Sequence, residues 1–265
     1  VSAVRRFNVV ERGRPEGRPM LLAHGFGCDQ GMWRHVWPAF AEDHRVITFD
    51  HVGHGGSDAG AYDPERHATL RGYAEDVLDI VRELDLRDLV FVGHSVSSMI
   101  GALAAAEEPD RFAHLVLVGP SPRYIDDEGY VGGFTREDIE GLLESMDSNY
   151  LGWAGAMAPV IMGNADRPEL GEELAETFCR ADPELARRFA RATFLADNRA
   201  DLARVRTPSL VLQCARDVIA PDAVGEYVHR ALPGSRLVRL AATGHCPNLS
   251  APQETVAAIR AYLAA

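Results

Sequence analysis

Short apolar runs recur along the chain: MLLAHG at 20–25, RVITFD at 45–50, LVFVGH at 89–94, HLVLVG at 114–119, SLVLQC at 209–214 and RLVRLA at 236–241. Most are continuously apolar instead of alternating, the pattern of strands covered on both faces. Between them lie longer segments such as YAEDVLDIVRELDL, residues 73–86, whose apolar positions repeat at helical spacing. Strand and helix in alternation predict an α/β fold, a mostly parallel central sheet flanked by helices.

The alternation lapses between about residues 124 and 201. This stretch holds no convincing strand but several amphipathic helical patterns, among them REDIEGLLESMD and PELARRFARATFL, separated by Gly, Pro and Asn signals. The β pattern resumes with TPSLVLQC. The expectation is one domain over 1–265, with 124–201 a helical lid inserted between two strands.

The run VFVGHSVSSMIGALAAA, residues 90–106, turns from strand to helix within a few residues. It carries Gly93-His94-Ser95-Val96-Ser97, close to the G-x-S-x-G fingerprint of a nucleophile elbow, with serine in place of the last glycine. Small residues on both sides of Ser95 let strand and helix approach closely. Alone, the pentapeptide reads equally well as a serine capping an ordinary helix.

A serine nucleophile needs a base, an orienting acid and donors for the oxyanion. His245, after RLVRLA in a Gly-His turn, is the candidate base; Asp217, after SLVLQC, is the candidate acid. Asp222 and Asp201 are rivals for the acid, but neither ends a strand pattern. Val96, directly after the serine, and Phe26, in the turn His24-Gly25-Phe26-Gly27, are placed to offer the two backbone donors. Serine, aspartate and histidine then occur in the chain order of the α/β-hydrolases. His94 reads as a packing residue, and the pair His51 and His54 lacks the further ligands a zinc site requires.

Composition narrows the chemistry. The chain of 265 residues carries a formal charge of −12, which argues against nucleic acid or an anionic membrane as main partner. All 27 basic residues are arginine, so no lysine is present to form a pyridoxal Schiff base or a Walker-type phosphate contact. No cofactor or metal is called for. Cys28, Cys179, Cys214 and Cys246 show no metal-ligand spacing and read as reduced thiols of a cytoplasmic protein, with Cys246 a half-buried packing residue. The N-terminal VSAVRRFNVVERG lacks the apolar core of a secretory signal. No exposed apolar stripe stands out, so a monomer is expected.

HGFGCDQGMW, FDHVGHGGSD, FVGHSVSSMIG, SNYLGWAGAMAP, LQCARDVIAP and GHCPNLS together resemble the family of the bacterial stress-signalling hydrolase RsbQ and the plant strigolactone and karrikin receptors. The loops around His51 and Asp217 are closer to the bacterial branch, whereas Ser97 is like the plant receptors. The resemblance implies an α/β-hydrolase sheet under a V-shaped lid of four helices and a deep apolar pocket. Its lining would include Phe26, Tyr124, Phe134, Trp153, Met157, Phe194 and Ile219, some of which would instead fasten lid to core. It implies hydrolysis of a small apolar ester or butenolide-like lactone. It also implies a rival role as a ligand-responsive regulator, with a PAS-domain phosphatase as partner in the bacterial branch. Haloperoxidase or carbon–carbon bond cleavage would rest on the fold alone.

Overall fold

The computed structural model describes residues 1–265. Its sheet has seven strands: β1 (Val10–Gly13), β2 (Arg18–Ala23), β3 (His44–Phe49), β4 (Leu89–His94), β5 (Phe112–Val118), β6 (Ser209–Arg216) and β7 (Arg236–Thr243). They lie in the order β1-β3-β2-β4-β5-β6-β7, all parallel except β1, which pairs antiparallel with β3. Every residue of β4 is buried, as its uninterrupted apolar run requires in the middle of a two-sided sheet. β1 was not anticipated. Its VERG is half polar and alternately exposed, which suits an edge and leaves no apolar signal.

The helices are α1 (Ala3–Arg6), α2 (Leu70–Glu83), α3 (Val96–Glu107), α4 (Arg136–Ser148), α5 (Tyr150–Met162), α6 (Pro168–Arg180), α7 (Pro183–Phe194), α8 (Arg199–Leu202), α9 (Asp222–Ala231), α10 (Pro247–Ser250) and α11 (Pro252–Leu263). None is long and apolar enough to cross a membrane. Helices α4 to α7 fall between β5 and β6 and form a cap; α5 runs along α6, and α4 packs against α5 and α7. Their starts are written locally. Thr135 and Asp138 form a reciprocal capping box at α4, and Asp182 accepts from the Glu184 and Leu185 amides ahead of Pro183 at α7. Ahead of α4 the chain makes two isolated bridges, Ile125 with Phe134 and Asp127 with Tyr130, too brief to leave a strand pattern.

Parallel register brings the carboxyl ends of the strands to one side. Ala23 pairs with Gly93, and His94 with Val118. The turns after β2, β4, β6 and β7 therefore open on a common crevice, where open α/β sheets bind ligands.

Candidate active site

Ser95 sits between β4 and α3 with φ 55° and ψ −121°, a left-handed conformation that L-residues seldom adopt. Its N–H donates to Val118 O at 2.8 Å, and its side chain makes no cap bond. A Cβ on Gly93 would lie 2.4 Å from Ser97 O, so glycine is obligatory on that side of the turn. Position 97 carries no such demand, and its serine side chain fits, fully buried.

Ser95 Oγ lies 2.7 Å from His245 Nε2, and His245 Nδ1 lies 2.7 Å from Asp217 Oδ2. The other carboxylate oxygen of Asp217 accepts from the Ile219 and Ala220 amides at 2.8 and 3.0 Å. All three side chains are buried, so the chain of hydrogen bonds runs through a low-dielectric interior, where it is stronger than in water. The rival acids lie elsewhere: Asp222 pairs with Arg239 and Asp201 with Arg71.

The loop carrying His245 is held from two sides. His94 Nε2 lies 2.7 Å from the His245 carbonyl, which can only accept, so this nitrogen carries the proton. Burial, and then the neighbouring His245, lower the His94 pKa to about 3, so the ring is neutral. From the cap, Ile161 O accepts the His245 N–H at 2.9 Å, and Asn164 Nδ2 donates to both Met162 O and Thr243 O at 2.9 Å.

Two amides near Ser95 have no protein acceptor. Phe26 N–H donates to nothing, and Val96 opens α3, where a helical amide has no carbonyl one turn back. Over the serine lies a cavity of about 30 Å³, lined chiefly by Phe26, Tyr124, Ile161, Leu174, Phe178, Phe194 and Ile219, with Thr193, Cys28 and Cys246 also in its wall. That is room for about two water molecules. Burial raises the Cys28 and Cys246 thiols above their ordinary range, so both stay protonated and poorly nucleophilic. No group of three or more His, Cys, Asp or Glu is placed to hold a metal ion.

Residues 20–259 match the model of the alpha/beta hydrolase family. Strigolactone esterase D14 of Arabidopsis thaliana is 39% identical over 247 residues, covering 93% of this chain and 92% of the plant protein. Karrikin insensitive 2 receptor IA of Petunia hybrida is 39% identical over 240 residues, 90% of this chain and 88% of its own. This chain is an alpha/beta hydrolase of the strigolactone and karrikin receptor family. A solved hydrolase from Oleispira antarctica superposes with a TM-score of 0.95 at 40% identity, over 99% of this chain and 96% of that one.

Within this hydrolase, Phe26, Tyr124, Phe194 and Ile219 border the cavity, whereas Trp153, Phe134 and Met157 do not. Trp153 stacks on Phe178 at 5.8 Å between ring centroids and meets Phe26 edge-on at 6.1 Å, so it stands behind the lining. Phe134, half-buried, packs against the core while its backbone bridges to Ile125, and Met157 faces an outer groove of the cap beside Gly141 and Ser148. Their places are taken by Leu174 and Phe178 of α6, which sequence reading missed. Leu170, Leu174 and Phe178 recur every four residues, an apolar stripe that marks the inward face of α6. Cys246, expected half-buried, is 1% exposed. Thr193 gave no signal at all. It is 1% exposed, and its hydroxyl has no protein partner, although a helical threonine can bond back to the preceding turn.

Proposed function

We propose that this protein is a cofactor-independent serine hydrolase of small, largely apolar esters or butenolide-like lactones, with Ser95, His245 and Asp217 as its triad. The observation that carries the reading is the continuous Ser95–His245–Asp217 hydrogen-bond chain, 2.7 Å at each link, beneath an apolar cavity. Ser95 Oγ attacks the acyl carbon while His245 Nε2 takes its proton; Asp217 holds the imidazole tautomer and stabilises the imidazolium. The Phe26 and Val96 amides receive the oxyanion. His245 then protonates the leaving alkoxide, and water, deprotonated by the same nitrogen, releases the acyl group.

The test is intact-mass spectrometry with product detection, on the parent and a Ser95→Ala variant, after incubation with short aryl esters and butenolides. Turnover or an acyl adduct confined to the parent supports the reading. Equal turnover in both proteins would sink it.

A regulatory role is the second reading, supported by the receptor relatives and by a cavity too small for most ligands until the cap or its side chains move. In this reading a reacting ligand changes the cap, and the cap changes the affinity for a cytoplasmic partner; a PAS-domain phosphatase, as in the RsbQ branch, is the candidate. Cap-surface substitutions that spare hydrolysis but abolish a stress response would favour it. If such substitutions leave the response intact, the esterase reading stands alone.

A further inference from the structure

We infer that His24 is a positioning residue that aims the Phe26 amide at the oxyanion, and that Ser97 and His51 hold it in the orientation required. The inference rests on the serine-hydrolase reading above.

The Gly25 carbonyl and the Phe26 N–H belong to one trans peptide unit and point in opposite directions. That carbonyl lies 2.8 Å from His24 Nδ1 and accepts the Cys28 N–H at 3.2 Å. Fixing the carbonyl therefore fixes the aim of the Phe26 N–H, which no protein group engages. His24 Nε2 accepts the His51 backbone N–H at 2.9 Å. The ring proton must then sit on Nδ1, the nitrogen facing Gly25.

The backbone of His24 is tied as well. Its carbonyl accepts the Ser97 hydroxyl proton at 2.5 Å, which leaves the Ser97 oxygen to accept from His51 Nε2 at 2.7 Å. His51 thus carries its proton on Nε2, and its Nδ1 has no partner. Ser97 is the second residue of α3, directly after Val96, whose amide is the other oxyanion donor. The turn bearing one donor is in this way fastened to the helix bearing the other. His24, His51 and Ser97 are no more than 1% exposed, so no solvent competes for these bonds. Burial lowers both imidazole pKa values, and the two rings keep the neutral forms the network needs. A glycine at position 97 would satisfy the usual elbow fingerprint and leave the His24 carbonyl and His51 Nε2 without this partner.

The test compares kcat and KM for p-nitrophenyl acetate, affinity for phenylboronic acid, and Tm across the parent, Ser97→Ala, His24→Leu and His24→Asn, with Ser95→Ala as blank. Phenylboronic acid bonded to Ser95 puts a charged oxygen where the oxyanion would sit. In Ser97→Ala and His24→Leu, kcat is expected to fall by about 10- to 100-fold, less than or comparable to losing one donor outright. KM should change by less than about threefold while boronate affinity falls in parallel with kcat, because only transition-state stabilisation is lost. His24→Asn, whose amide nitrogen can occupy the Nδ1 position, should recover most of kcat. If Ser97→Ala melts lower yet keeps the parent kcat and boronate affinity, the network only supports the fold and the inference is overturned. Should His24→Leu fail to fold, Ser97→Ala and His24→Asn still decide it. Absence of Ser95-dependent turnover in the parent overturns the hydrolase reading and this one with it; intact turnover in Ser97→Ala overturns this one alone.

Discussion

Ser95 is held in a conformation that stores strain, of order 1–3 kcal/mol for a left-handed non-glycine residue. Glycine adopts that conformation freely, so Ser95→Gly is expected to abolish turnover and also to raise stability by about 1 kcal/mol, read as a higher Tm. An unchanged or lower Tm would mean that the elbow is not strained. Thr193 carries a different penalty. Its hydroxyl is buried without a protein partner, and replacing such a group by a methyl of the same shape is neutral to stabilising. Thr193→Val should therefore gain up to about 1 kcal/mol in a denaturant titration. A loss of similar size would show that the hydroxyl is satisfied in solution.

At the scale of elements, the cap depends on its helix starts. Asp182→Ala removes the acceptor for the Glu184 and Leu185 amides, at a cost of about 1 kcal/mol. The loss should appear as faster hydrogen exchange in α7, which carries Thr193 and Phe194, with the sheet unaffected. Equal acceleration in sheet and cap would instead point to global unfolding. The inner strand runs were legible because burial on both faces disfavours polar residues, and β7, though largely exposed at the far edge, kept enough apolar positions to be read, whereas the polar edge strand β1 left no trace. Ser95, Asp217 and His245 were legible for a related reason: each follows a strand, and parallel strands bring their carboxyl ends together. The cavity lining was less so. Which face of α5 or α6 looks inward depends on how the helices cross, and Trp153 and Phe178 are equally apolar in sequence. The tie between Ser97 and His24 spans 73 residues and has no local signature.

For the whole molecule, buried neutral histidines make stability depend on pH. Burial lowers the pKa of His54 and His94 from 6.5 to about 3, so both resist protonation in the native state. The unfolded chain binds those protons below about pH 6.5, hence stability is full above that pH and declines as pH falls toward 3. Each ring contributes a slope of up to about 1.4 kcal/mol per pH unit. Tm should drop between pH 7 and 5, and the drop should be shallower in His54→Asn; a flat profile in the parent would contradict the assignment.

The bond from the His245 amide to Ile161 has a mechanical meaning. With Asn164 bridging Met162 and Thr243, it ties the C-terminal end of α5 to the loop that carries His245. Because the Ile161 carbonyl holds the His245 N–H, a displacement of the cap at that point would reach the loop that carries the imidazole.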